Sequence, residues 1–179
     1  PMWTEQHPRL WWQATVASIR QVLAETQVRP EEVHGIGLTG QMHGMVLLDQ
    51  QGEVLRPALL WNDQRTGAEC DEIRQRVGKK RFIQITGNDA LTGFTAPKIL
   101  WVRNNEPEIF AEVRTILLPK DYVRFRLTGQ IGTELCDATG TNLIAMPEQD
   151  WSDALCSLLQ VPRHKLPPIG RASQVAGHV

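Results

Sequence analysis

The sequence predicts an α/β domain with a layered sheet, and three observations carry that reading. Short apolar runs of strand length, such as Met45-Val46-Leu47-Leu48 and Thr115-Ile116-Leu117-Leu118, alternate with longer segments whose apolar residues recur every three or four positions. Glycines and prolines punctuate the boundaries. No internal repeat or low-complexity tract interrupts the alternation.

Element by element, His7-Pro8 places a proline where a first helical turn tolerates it, and Trp12, Val16, Ile19 and Leu23 then mark one apolar face, predicting a helix over 8–26. Ile36-Gly37-Leu38-Thr39 and Met45-Val46-Leu47-Leu48 read as two strands joined by a tight loop at 40–44, with a polar turn at 49–52. The run Ala58-Leu59-Leu60-Trp61 stops at Asn62, which caps a helix beginning with Asp63 and closed by Gly78 after Val77. Thr95 caps a helix through Ile99, Leu100, Trp101 and Val102, and Pro107 opens another carrying Ile109, Phe110 and Val113. Residues 115–118 form a buried strand. Pro119-Lys120-Asp121 leads into a helix with Tyr122, Val123, Phe125 and Leu127 that Gly129 ends. A strand near 130–135 and a helix near 152–159 follow, and Pro162, Pro167 and Pro168 predict an irregular connection at the end.

Composition narrows the functional classes. The chain is 41% hydrophobic and 22% charged with a formal net charge of −1, an ordinary globular balance without the basic stripe that tracks a phosphate backbone. No nucleic-acid partner is expected. Cys70, Cys136 and Cys156 form no C-x-x-C pair and make poor material for a disulfide framework, which points to a reducing cytoplasm. The apolar runs fall far short of the ~20 residues that cross a bilayer, so no membrane association is expected. Pro1 is followed at once by Trp3, Trp11 and Trp12, and Ala176-Gly177-His178-Val179 carries no helix stop; the chain is expected to be cut from a longer protein.

Several constellations could carry chemistry. In Gly40-Gln41-Met42-His43-Gly44, two glycines let the backbone turn tightly and present Gln41, Met42 and His43 together at a strand end, where α/β sheets bind ligands. A polar hairpin loop whose histidine bonds nearby backbone explains the same residues. Trp61-Asn62-Asp63-Gln64-Arg65 sets an aromatic face beside an amide, a carboxylate and a guanidinium, which suits the C–H faces and hydroxyls of a sugar. Equally, Trp61 belongs to a core and Asn62 to a helix cap. Lys98 and Trp101 share a helix face and either aim a cation and an indole at a cleft or serve as a solvated lysine and a core tryptophan. Asp137-Ala138-Thr139-Gly140-Thr141 reads as a small-residue loop able to approach a ligand or as a plain capped turn, and Asp121 is a helix-start carboxylate. No G-x-x-x-x-G-K-[ST] phosphate loop, H-E-x-x-H pair or G-x-S-x-G elbow is present.

Taken together these segments resemble the FGGY family of carbohydrate kinases. Gly93-Phe94-Thr95-Ala96-Pro97-Lys98-Ile99-Leu100-Trp101-Val102-Arg103-Asn104-Asn105 is similar to a signature pattern of that family, and the likeness covers nearly the whole chain. The Gly-Gln-Met-His-Gly loop at 40–44, Leu60-Trp61-Asn62-Asp63, Leu117-Leu118-Pro119-Lys120-Asp121-Tyr122 and Asp137–Thr141 resemble the bacterial xylulokinases in particular. Glycerol kinases, similar here, carry Arg-Glu in place of Met42-His43, and the exchange favours a ketopentose over glycerol.

The resemblance implies a ribonuclease-H-like domain of the actin, Hsp70 and sugar-kinase class, incomplete at its N-terminal strands, with residues 1–179 as a partial sugar-binding domain and the nucleotide-binding domain absent. It implies that Met42 packs on the sugar, His43 bonds a hydroxyl and Trp61 walls the pocket, with Gln41, Asn62 and Asp63 in the same substrate-binding set. The intact protein would phosphorylate D-xylulose with ATP and Mg²⁺, neither of which this fragment is expected to bind fully. The Asp-x-Gly-Thr phosphate loop is expected before Pro1 and the catalytic aspartate after Val179, so no catalytic residue is assigned here. A small-molecule sugar is the expected partner, and a homodimer is admitted. Other readings are a kinase for another ketose or polyol, a non-catalytic sugar-binding or regulatory module, and a hydrolase or isomerase using His43 and Asp63.

Overall fold

In a computed structural model the protein is described over residues 2–179. A short strand, β1 (Glu5–Gln6), precedes helix α1 (Pro8–Thr26), as the Pro8 signal predicts; the His7 ring caps it by accepting from the Arg9 amide. Trp12, Val16, Ile19 and Leu23 are half-buried along one side. Residues 33–40 adopt no regular structure, so the strand predicted at 36–39 does not form, and Ile36 is exposed. A strand is held by a partner's ladder, and no described segment pairs with this one.

The second run does form a strand, β2 (Val46–Leu48), and Ala58–Leu59 forms β3. After it, Asp63 bends the chain into a turn, so α2 spans Gly67–Val77 with Thr66 as its cap, four residues later than the start predicted at Asp63. Gly78 ends α2 as expected. It also starts α3 (Lys79–Thr86), unforeseen because Lys79-Lys80-Arg81 masks a short helix whose Phe82 is fully buried.

In α4 (Thr95–Asn105) every residue from Thr95 to Val102 is buried. Its cap position is Phe94, one residue before the Thr95 predicted, because the Thr95 hydroxyl donates instead to the His43 carbonyl. Then come α5 (Pro107–Glu112), β4 (Thr115–Leu117) and α6 (Pro119–Thr128), the last closed by Gly129 at φ 70°.

The remainder is a series of small elements: β5 (Thr133–Glu134), α7 (Leu135–Thr139), β6 (Ile144–Ala145), β7 (Asp150–Trp151), α8 (Asp153–Leu158) and β8 (Ile169–Gly170). Most of the stretch predicted as a loop at 137–141 is helical, because the Glu134 carboxylate accepts from the amides of Cys136 and Asp137. The proline-rich end is not a free connection: the Trp151 indole donates to the Pro167 carbonyl at 2.8 Å, and β8 pairs parallel with β5.

In place of one layered sheet, the strands form four two-stranded pairs. β1 pairs with β3 and β2 with β4, both antiparallel, and the Met45–Leu59 bridge links the two pairs into one narrow ladder. Alternation sends Met45, Leu47 and Leu59 into the larger core, built with Ile73, Phe82 and Leu100. Val46, Leu48 and Ala58 point the other way, toward Tyr122 and the indoles of Trp11 and Trp12. Both faces are thus covered, which is why these strands read as unbroken apolar runs.

Candidate functional site

The loop 40–44 leaves the ladder and lies across the start of α6. It has to be thin there: a Cβ at Gly44 would sit 2.6 Å from Pro119 Cγ, and one at Gly40 would sit 3.3 Å from Lys120 Cβ. His43 holds the left-handed conformation at φ 63°, which costs a non-glycine residue about 1–2 kcal/mol. Its Nδ1 lies 2.8 Å from the Gly140 carbonyl, and its ring meets Phe94 edge-on at 4.6 Å. A carbonyl only accepts, so Nδ1 carries the proton and, in the neutral ring, Nε2 is an acceptor. Burial pushes the His43 pKa down; the Gly140 bond opposes this, and the Lys98 ammonium adds to it.

Beneath the loop stands Lys98, fully buried on α4 and so neither solvated nor open to a cleft. Its Nζ donates to the His43 carbonyl at 3.1 Å and to the Gly93 carbonyl. Burial pushes its pKa down to about 7, with Asp63 and Cys70 pulling the other way. Gly93 in turn backs the second candidate segment, since a Cβ there would sit 2.9 Å from the Trp61 carbonyl.

Met42 is 57% and Trp61 55% exposed, so both present large apolar surfaces to solvent; Asn62 is exposed and Gln41 half-buried. Asp63 differs. It is fully buried, and its oxygens accept from the Thr4 amide at 2.6 Å and from the Arg65 backbone and guanidinium. Burial works against its charge, but those hydrogen bonds outweigh it and hold the carboxyl below its ordinary range. The Arg65 guanidinium also pairs with Glu5 and lies between Trp3, 4.1 Å away, and the core residue Trp101, 4.8 Å away. His43 and Asp63 thus bond different groups, and no acid–base pair joins them.

Asp121 is buried with Oδ1 2.6 Å from Lys120 Nζ, while Oδ2 has no partner among the described residues. Lys120 also stands 3.5 Å from Asp137, whose pKa burial raises against that lysine's pull. Two cavities lie elsewhere, one inside the fold against Thr95, Asp121 and Trp151, the other at the surface beside Gln51, Phe125 and His164. Phe94 and Lys98 at the start of α4, Lys120 in α6 and Gly140 after α7 support the loop from three distant segments. From sequence, a glycine at 140, where a Cβ would meet the His43 ring at 2.6 Å, was the signal available for this contact.

The N-terminal domain of the FGGY family of carbohydrate kinases matches residues 1–179. The chain belongs to that family. It is 43% identical over 177 residues to the xylulose kinase of Escherichia coli (strain K12), covering 99% of this chain and 36% of that protein. To the xylulose kinase of Bacillus subtilis (strain 168) it is 42% identical over 175 residues, covering 98% of this chain and 35% of the relative. Among solved structures, a xyloylose kinase from Brucella ovis matches with TM-score 0.93 at 40% identity, over 99% of this chain and 36% of that one. The FGGY chain therefore spans about a third of the length of these relatives. Its fold is the ribonuclease-H-like sugar-kinase fold that the sequence predicts. Among the described residues no helix is long and apolar enough to cross a membrane.

Proposed function

We propose that the intact protein transfers the γ-phosphoryl group of ATP to D-xylulose, forming D-xylulose 5-phosphate, and that this chain is a partial N-terminal domain supplying part of the sugar site. The observation that carries this reading is His43: its Nδ1 is committed to Gly140, so Nε2 is left to accept from a sugar hydroxyl beside the exposed Met42. Met42 and Trp61 give apolar faces for the carbon chain, and the amides of Gln41 and Asn62 serve its hydroxyls. Asp63, with both oxygens engaged, holds the turn that carries Trp61 and Asn62. The names of the aligned relatives support the ketopentose.

Phosphoryl transfer asks the protein mainly for positioning and for charge stabilisation at the phosphates. The described residues are fitted to the first task. In this reading ATP and Mg²⁺ are held mainly by the rest of the intact protein, which also supplies the aspartate that accepts the hydroxyl proton. The test is a panel of D-xylulose, L-xylulose, D-ribulose, gluconate and glycerol with the intact protein and ATP. The highest kcat/KM is expected for D-xylulose; a preference for glycerol or gluconate overturns the reading.

A further inference from the structure

We propose that Lys98 is a positioning residue for the sugar site: its buried side chain ties the carbonyl behind His43 to the carbonyl of the Gly93 turn behind Trp61, and so sets the two walls of the site against each other. This rests on the sugar site proposed above.

An ammonium closed off from water loses strong hydration, and proteins bury one where a carboxylate compensates it or where the cation does something a hydrocarbon could not. Lys98 is fully buried, yet the groups its Nζ bonds are both carbonyls, from residues 43 and 93. A methionine would fill similar volume with no charge to bury, so packing alone does not call for the lysine. What methionine lacks is the donors. One of the two carbonyls belongs to His43, a residue held in the left-handed conformation, and the Thr95 hydroxyl donates to that same carbonyl at 3.1 Å. With the carbonyl pinned from α4, the ring is turned onto Phe94 and its Nδ1 onto Gly140. The other carbonyl fixes Gly93, which the Trp61 backbone touches so closely that a side chain there would not fit. Burial brings the Lys98 pKa down to about 7, and the Asp63 carboxylate, with Cys70 acting in the same direction, only partly offsets it.

The experiment compares Lys98→Met, His43→Ala and the parent in the intact protein, reading melting temperature, KM for the best sugar, KM for ATP, and the His43 ring signals in histidine-labelled NMR without sugar. Lys98→Met is expected to fold, to shift the His43 ring signals, and to raise the sugar KM by ~10-fold while the ATP KM changes less than ~2-fold. A merely structural lysine would lower the melting temperature and leave the sugar-to-ATP KM ratio unmoved. If His43→Ala raises the sugar KM and Lys98→Met does not, the positioning role is overturned and the sugar site stands. If neither variant changes the sugar KM, the site reading itself falls and takes this inference with it. Should Lys98→Met fail to fold, Thr95→Val removes the other donor to the same carbonyl, and a rise of ~3-fold in sugar KM is expected; no rise overturns the proposal.

Discussion

At the scale of the residue, His43 has one ring nitrogen bound to the Gly140 carbonyl and the other left as an acceptor. Replacing it with alanine removes one hydrogen bond and is expected to raise the sugar KM by roughly tenfold, since such a bond is worth about 1 kcal/mol and leaves its partner unpaired when lost. The proposed sugar site needs the neutral ring. Burial depresses the His43 pKa below its ordinary 6.5, so the unfolded chain takes up a proton at a higher pH than the native loop does. The loop's contribution to stability is therefore complete above that value and is lost as pH falls through the lowered native pKa. A kcat/KM profile of the intact protein should place its His43-dependent acid limb below pH 6.5, and the limb should vanish in His43→Ala. Gly140 is held to glycine by the same contact, because a Cβ would meet Nδ1 at 2.6 Å. Gly140→Ala should therefore weaken sugar binding at least as much as His43→Ala, whereas Gly67→Ala, with nothing within 4 Å, should leave the sugar KM unchanged.

At the scale of the element, the turn between β3 and α2 is set by a buried ion pair rather than by a helix cap. Asp63 is 0% and Arg65 1% exposed at the side chain, 2.8 Å apart, and Glu5 and Thr4 draw the N-terminal segment into the same network. Removing the arginine strands a buried carboxylate. Arg65→Met is expected to destabilise the protein by about 3–5 kcal/mol, read as a lower urea midpoint. A loss below about 1 kcal/mol would mean that the two indoles around Arg65, and not its charge, carry the contact. The β2–β4 ladder needs no such device, since helices pack on both of its faces.

At the scale of the whole molecule, the two core clusters leave the cysteines in unlike surroundings. Cys70 and Cys156 are buried, and burial pushes both thiols up to about 11, while Cys136 is exposed on α7. Reactivity follows the exposed thiolate. A thiol reagent added to the native protein should label Cys136 quickly and the other two only on unfolding, as peptide mapping would show. Rapid native labelling of Cys70 would mean that α2 opens far more readily than its packing against α4 implies.

What was legible in the sequence was the part that obeys local rules. The helices at 8–26, 107–112 and 119–128 and the strands at 46–48 and 115–117 stand close to their predicted places because proline, glycine and apolar period act over a few residues. The family was legible too, through one long pattern at 93–105 and the loop at 40–44. The absent strand at 36–39, the late start of α2, the burial of Lys98 and the commitment of Asp63 to Arg65 were not. Each depends on a partner far along the chain, such as Thr4 for Asp63, Gly140 for the His43 ring or Lys98 for its carbonyl. Sequence by itself singled out the residues proposed to meet a sugar. Only the tertiary structure decided which of them keep an unpaired polar atom, because hydrogen bonds between distant segments are satisfied only after those segments have packed together.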